Sequence, residues 1–224
     1  MITKMDRSEI LWGSIYYVLS YFLLPYLFSF LGILLPIPQW LCQVALFFSN
    51  FLFTLLIFRR FLLKSLKTAL GSPGRFFGYT ALGFVFYYTA NFVIVYLITL
   101  LRPDFTNLND STIVSLAQDG GIWIAASAVV LVPVAEETLF RGLFFNAFGK
   151  KHPIGAWFLS AGVFSAIHIV GYIGSYDVFS FALAFIQYLP AGFCLAYAYK
   201  ASGTILAPIF MHTVINLIGV MILL

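Results

Sequence analysis

The chain has 224 residues, 62% of them hydrophobic and 9% charged, with a mean hydropathy of +1.00. A soluble globular domain is about half apolar and a quarter charged, so this composition excludes one and points to a polytopic membrane protein. The formal net charge of +4 comes from lysines and arginines between apolar runs and gives no reason to expect nucleic-acid binding.

A spanning helix needs about 20 mostly apolar residues, and backbone in lipid must satisfy its own hydrogen bonds. The expected fold is therefore an all-α bundle. In chain order the predicted spans are 10–35, 39–63, 77–101, 122–148, 154–173, 179–199 and 204–224. That makes seven, or eight if one breaks in two. Pro25 is expected to kink the first. The run "MITKMDRSEILWG" opens that span and lacks the small-residue cleavage site of a removable signal peptide. The polar connection "RPDFTNLNDSTIVSLAQDGG" has Asp110 and Ser111 as candidate caps for a short surface helix. Cys42 and Cys194 sit in apolar runs and read as packing residues. The whole of 1–224 is expected to be one membrane domain, with a motif-free part at 1–118.

Orientation follows from the bases. Lys4 and Arg7 precede the first span. Arg59, Arg60, Lys64, Lys67 and Arg75 follow the second. Lys150 and Lys151 follow the fourth, and Lys200 the sixth. Seven spans put all of these at one end, while Asp104, Asp110, Asp119 and Asp177 fall at the other with Arg102. The expectation is a multi-pass protein of the cell membrane, N-terminus in the cytoplasm and C-terminus outside.

Few ionisable residues lie deep in the spans: Glu136, Glu137, Arg141, His168 and His212. Such groups usually face a cavity or one another and mark function. Glu137 and Arg141 are four apart, so they can pair along one helix. Glu136 points about 100° away and is left as the candidate general base. His212 and Asn216 are also four apart and share a face. Hydrolysis of a peptide bond needs an activated water, a donor to the leaving amine and stabilisation of the oxyanion. Glu136, His168, His212 and Asn216 supply those groups, with Glu137 and Arg141 in support. Asn50, Asn91 and Gln187 read as interhelical hydrogen-bonding residues, and Phe164 as packing beside His168.

Within the spans, "EETLFR" at 136–141, "FSAIH" at 164–168 and "HTVIN" at 212–216 resemble the motifs EExxxR, FxxxH and HxxxN. They are those of the CAAX protease and bacteriocin-processing (Abi) family of intramembrane endopeptidases, which includes the type II CAAX prenyl endopeptidases. "SGTILAPIFMHTVIN" resembles the family's stretch before the third motif, and the resemblance covers about 120–220. It implies that Glu136 and His168 activate water and that His212 and Asn216 form the oxyanion hole, with Phe164 in a supporting position. The implied partners are the lipid bilayer and a membrane-associated, prenylated or leader-type peptide. No cofactor is expected. The alternative is zinc held by Glu136, His168 and His212, but no H-E-x-x-H or cysteine set accompanies them. A non-catalytic role in self-immunity against a bacteriocin is the other alternative. A transporter is disfavoured, because no pair of broken spans recurs in two related halves. The four catalytic candidates are expected to meet in one polar cavity, open to the cytoplasmic side or laterally to lipid.

Overall fold

The computed structural model describes residues 2–149 and 151–223, so Lys150 lies outside the described residues. Among them the fold is all-α. The helices are α1 (Arg7–Phe22), α2 (Leu24–Leu34), α3 (Gln39–Ile57), α4 (Arg59–Gly71), α5 (Pro73–Leu101), α6 (Leu108–Gly120), α7 (Ile122–Ala147), α8 (Pro153–Tyr172), α9 (Val178–Ser202) and α10 (Leu206–Leu223). Helices α3, α5, α7, α8 and α9 are each long and apolar enough to cross a membrane, and α1 with α2 makes a sixth candidate.

Three expectations change in detail. The first predicted span is bent by 43° at Leu23, two residues before Pro25, whose ring cannot sit in an unbroken helix. The second ends at Ile57, not at residue 63. Phe58 leaves the helical conformation, and α4 starts anew with Phe61, Ser65 and Ala69 buried along one face. Arg59, Arg60, Lys64 and Lys67 occupy the rest of α4, and a helix so charged on one side lies along an interface rather than across it. The last predicted span is α10, an apolar helix shorter than the other candidates. At 1.5 Å per residue, its 18 residues reach about 27 Å, a little less than the roughly 30 Å hydrocarbon core.

Contacts between connections define two ends. At the basic end the Thr3 amide donates to the Gly203 carbonyl, and the Met5 amide to Asn146 Oδ1. Arg75 donates to the Ala201 carbonyl and Lys64 to Asp6. Glu9, although buried, is satisfied there by the amides of Asp6 and Phe61, each at 2.8 Å, so one carboxylate ties the start of α1 to that of α4. At the acidic end Arg102 pairs with Asp177 at 3.0 Å, and the Tyr176 hydroxyl accepts from the Leu108 amide.

Helix α7 is the central element: half of its apolar window is buried within the protein, against 6% for α5. Around it Phe140, Phe164, Leu195, Ala198 and Met211 form a buried cluster. Cys194 belongs to this cluster and, like Cys42, is buried and unpaired. Helices α8 and α9 are in close backbone contact at Gly192. A Cβ there would lie 2.9 Å from Ala161 Cα and 3.0 Å from its carbonyl oxygen, both of them backbone atoms. Gly162, one residue along α8, faces open space. Gly192→Ala should therefore lower thermal stability in detergent by about 1–3 kcal/mol, as overpacking does. Gly162→Ala should leave it unchanged or raised, because alanine favours the helix. Thermal unfolding of the two variants beside the native protein measures the contrast.

Candidate active site

The site is built on an irregular stretch of α7. Its regular α-helical turns are interrupted by π turns at Ser127–Leu131 and Thr138–Leu143, on either side of the glutamates. The first has a clear chemical consequence. The Val132 amide donates to the Ser127 carbonyl, five residues back. In that register the Ala128 carbonyl would accept from residue 133, but Pro133 has no N–H. A buried carbonyl without a donor is costly. Asn216 of α10 supplies the donor, its Nδ2 reaching the Ala128 oxygen at 2.9 Å. The proline thus fixes Asn216, and the second amide hydrogen of Asn216 is left for the cavity it lines. The second π turn is supported in a similar way: Ser160 of α8 donates to the Phe140 carbonyl at 2.7 Å.

Glu136 and Glu137 differ as the sequence implied they would. Glu137 is fully buried. Its Oε1 accepts from Arg141 Nη1 at 2.8 Å and from His212 Nδ1 at 2.7 Å. Arg141, fully buried too, also donates to the carbonyls of Ala191 and Gly192 on α9. One carboxylate therefore joins α7 to α10 directly and to α9 through arginine. A carboxylate accepts, so Nδ1 of His212 carries a proton and Nε2 is the ring's other edge.

Glu136 sits in the cavity wall. Its Oε2 is buried without a hydrogen-bond partner among the described residues, and lies 3.9 Å from His168 Nε2. That is too long for a direct hydrogen bond and leaves the two groups free to act on a third. His168 Nδ1 lies 2.7 Å from the Phe164 carbonyl. A carbonyl can only accept, so this nitrogen holds the proton and Nε2 faces Glu136. The imidazole is clamped between the rings of Phe164 and Tyr188, with centroids at 4.4 and 4.5 Å. Phe164 does more than fill space: the Arg141 guanidinium carbon stands 4.2 Å from its ring centre, a cation–π contact in a desolvated setting.

Glu136, His168, His212 and Asn216 line one cavity of about 420 Å³. Some of its other walls were not foreseen. Asn109 and Asp110 come from α6, read in the sequence as a capped surface helix. The cap is Asn107, whose side chain accepts from the amides of Asn109 and Asp110; Asp110 and Ser111 do not serve as caps. Asp110 instead turns to the cavity and accepts from the Tyr188 hydroxyl at 3.0 Å. Burial pushes its carboxyl above the ordinary range, against the opposing effect of that hydrogen bond. Asn109 donates to the same hydroxyl, and Asn107 donates to Gln187. The α6 side chains thus hold the outer edge of the ring that clamps His168. Nothing in the spacing of "NLNDS" links it to the motifs. Of the amides weighed from sequence, Asn50 accepts from Tyr16, as an interhelical residue should. Asn91 and Gln187 line the cavity.

Among the described residues no three histidine, cysteine, aspartate or glutamate side chains form a group able to hold a metal ion, so this geometry lends the zinc alternative no support. His212 commits one nitrogen to Glu137.

Fold and site define a helical membrane protein with a buried glutamate pair and two histidines around a polar cavity. Residues 118–218, a little under half of the chain, match the family described as type II CAAX prenyl endopeptidase Rce1-like. This stretch is thus similar to the CAAX proteases, the resemblance its motifs carry. The comparisons with curated proteins and with solved structures gave no match. Asn107, Asn109 and Asp110 lie outside the matched stretch.

The shared carboxylate makes the two glutamates unequal under mutation. Glu137→Ala strands Arg141 in low dielectric, and breaking a buried pair costs about 3–5 kcal/mol. It should lower both membrane abundance and activity, as should Arg141→Ala. A double change of both to leucine should recover part of the stability but no activity, since His212 still lacks its acceptor. Glu136→Ala should accumulate like the native protein. Abundance and thermal stability, measured side by side, check this; a fully abundant and stable Glu137→Ala protein would contradict it.

Proposed function

We propose that this protein is an intramembrane endopeptidase that hydrolyses a peptide bond with a glutamate-activated water. The observation that carries the reading is the meeting of Glu136, His168, His212 and Asn216 on one cavity, with an unpartnered Glu136 oxygen facing a histidine nitrogen. A water held between Glu136 Oε2 and His168 Nε2 loses a proton to Glu136 as its oxygen attacks the scissile carbonyl. The carbonyl π electrons move to oxygen. That oxyanion receives the free amide hydrogen of Asn216, and an Nε2 hydrogen from His212 when its ring is cationic. The C–N bond then breaks, and Glu136 returns its proton to the leaving amine. The Gln43, Asn91, Asn109 and Gln187 side chains around the cavity can both donate and accept, which suits an extended peptide backbone.

In this reading the reaction uses no metal, and the substrate is a membrane-associated peptide. The basic end is cytoplasmic, by the bias of lysine and arginine toward that side, in a cell membrane with the N-terminus inside and the C-terminus outside.

Glu136→Gln keeps shape and loses basicity. Membrane-associated peptides from cells with the native and the Glu136→Gln protein should differ by a set of uncleaved precursors, while the two proteins accumulate equally. The purified native protein should cleave such a precursor after treatment with a chelator. Loss of cleavage on chelation with full, zinc-specific restoration would overturn the metal-independent mechanism. Equal peptide sets from both cells would overturn the peptidase reading.

A further inference from the structure

One hydrogen bond does not fix an imidazole. His168 Nδ1 is pinned to the Phe164 carbonyl at 2.7 Å, but the ring can still swing about that point, and Nε2, on the far side, swings furthest. Nε2 is the nitrogen that lies 3.9 Å from Glu136 Oε2. Two flat faces limit the swing. The Phe164 ring is inclined at 49° to the imidazole and the Tyr188 ring at 30°, the closer to parallel. Phe164 is on the same helix as His168 and is itself wedged edge-on against Phe140, with centroids 5.5 Å apart. Tyr188 is on α9, and its position is set from a third helix.

A phenylalanine would supply the same face, and the chain uses 26 of them. The hydroxyl of Tyr188 has a separate cause, since a polar group inside a bundle is unfavourable unless it is bonded. Its partners all come from α6 and the cap of that helix. Its one hydrogen has two acceptors in reach, Asp110 Oδ1 at 3.0 Å and Asn107 Oδ1 at 3.2 Å, and its oxygen accepts from Asn109 Nδ2 at 3.0 Å. Helix α6 is tied to α8 as well. The hydroxyl of Tyr172, four residues beyond His168, donates to Thr112 at 2.9 Å. The start of α6 is thus bonded both to the helix that carries His168 and to the helix that carries its outer clamp.

We propose that Tyr188 is a positioning residue for His168, and that α6 sets where Tyr188 stands through Asp110 and Asn109. The proposal rests on reading this cavity as the peptidase site. Tyr188 does not touch the reacting atoms. It holds the imidazole plane so that Nε2 stays opposite Glu136, the arrangement a shared water requires. The consequence is that turnover depends on a helix outside the motifs, since Asn107, Asn109 and Asp110 precede the matched stretch.

The test reads turnover and the His168 ring separately, on the purified full chain. The probe for turnover is a precursor peptide that accumulates with the Glu136→Gln protein. A misplacement of about 1 Å can cost about 100-fold in rate, so Tyr188→Leu, which removes face and tethers, should lower kcat about 100-fold with little change in KM. Tyr188→Phe keeps the face and should recover most of that, to within about tenfold of the native rate, the worth of one or two hydrogen bonds. Asp110→Leu should slow the native protein but add nothing in the Tyr188→Phe background, because the two changes break one tie. In protein labelled with nitrogen-15 in its histidine rings, Tyr188→Leu should move the His168 signals from a protonated Nδ1 toward an average of both tautomers. A purely structural tyrosine would lower thermal stability and leave the tautomer and kcat alone. Native kcat and native His168 signals in Tyr188→Leu would overturn the proposal, as would a fall confined to KM. Should Tyr188→Leu fail to accumulate, Tyr188→Phe and its combination with Asp110→Leu decide. If no precursor accumulates while the His168 signals respond as stated, the peptidase reading fails and the clamp on His168 stands. Unchanged signals would overturn the clamp whatever the cleavage.

Discussion

The structure depends on one buried carboxylate. Glu137 is shut away from solvent, and its Oε1 accepts from a guanidinium on its own helix and from an imidazole on α10. A charge in such a place is tolerated only with partners in good geometry. Each partner is in turn committed elsewhere. Arg141 reaches two carbonyls of α9 and stacks on Phe164 of α8. The helices that carry the reacting groups are thereby registered against α7 at one level. Glu136, the next residue, is presented to the cavity by the same turn of helix and is left without such ties.

Irregular backbone does the rest. The π turn before Pro133 leaves a carbonyl that only a side chain can satisfy, and Asn216 satisfies it. A π turn is an uncommon feature that recurs at functional sites; here its effect is to set the position of a polar side chain on the neighbouring helix. The outer wall follows the same logic. Tyr188 stacks on His168 while its hydroxyl is held by Asn109 and Asp110 from α6. The motif-bearing stretch therefore does not complete its own site: residues before the matched segment close one side of it.

Much of this was legible in the sequence, for a physical reason. Ionisable groups at membrane depth are expensive, so Glu136, Glu137, Arg141, His168 and His212 stood out against an apolar background. Their i to i+4 spacing already paired Glu137 with Arg141 and His212 with Asn216. The same reasoning was blind to α6. A polar run between spans looks like surface, and no periodicity shows that Asp110 turns inward to Tyr188. It also carried the second span six residues too far, because Phe61, Leu62 and Leu63 are as apolar as the helix before them. The break at Phe58 is set by the tertiary burial of Phe58 and Phe61, which hydropathy does not contain.

The arrangement thus separates two tasks, one glutamate holding helices together and its neighbour facing a histidine across a polar cavity. Both histidines of the site are held at Nδ1, His168 by the Phe164 carbonyl and His212 by Glu137, so that Nε2 of each is the free edge. Only His152 would share the spectrum of a protein labelled with nitrogen-15 in its histidine rings, since the chain has three histidines. Ring nitrogen chemical shifts, with His168→Gln and His212→Gln used for assignment, test the claim most directly. The account predicts a protonated Nδ1 for both His168 and His212 in the native protein. An unprotonated Nδ1 with the proton on Nε2, in either residue, would contradict it.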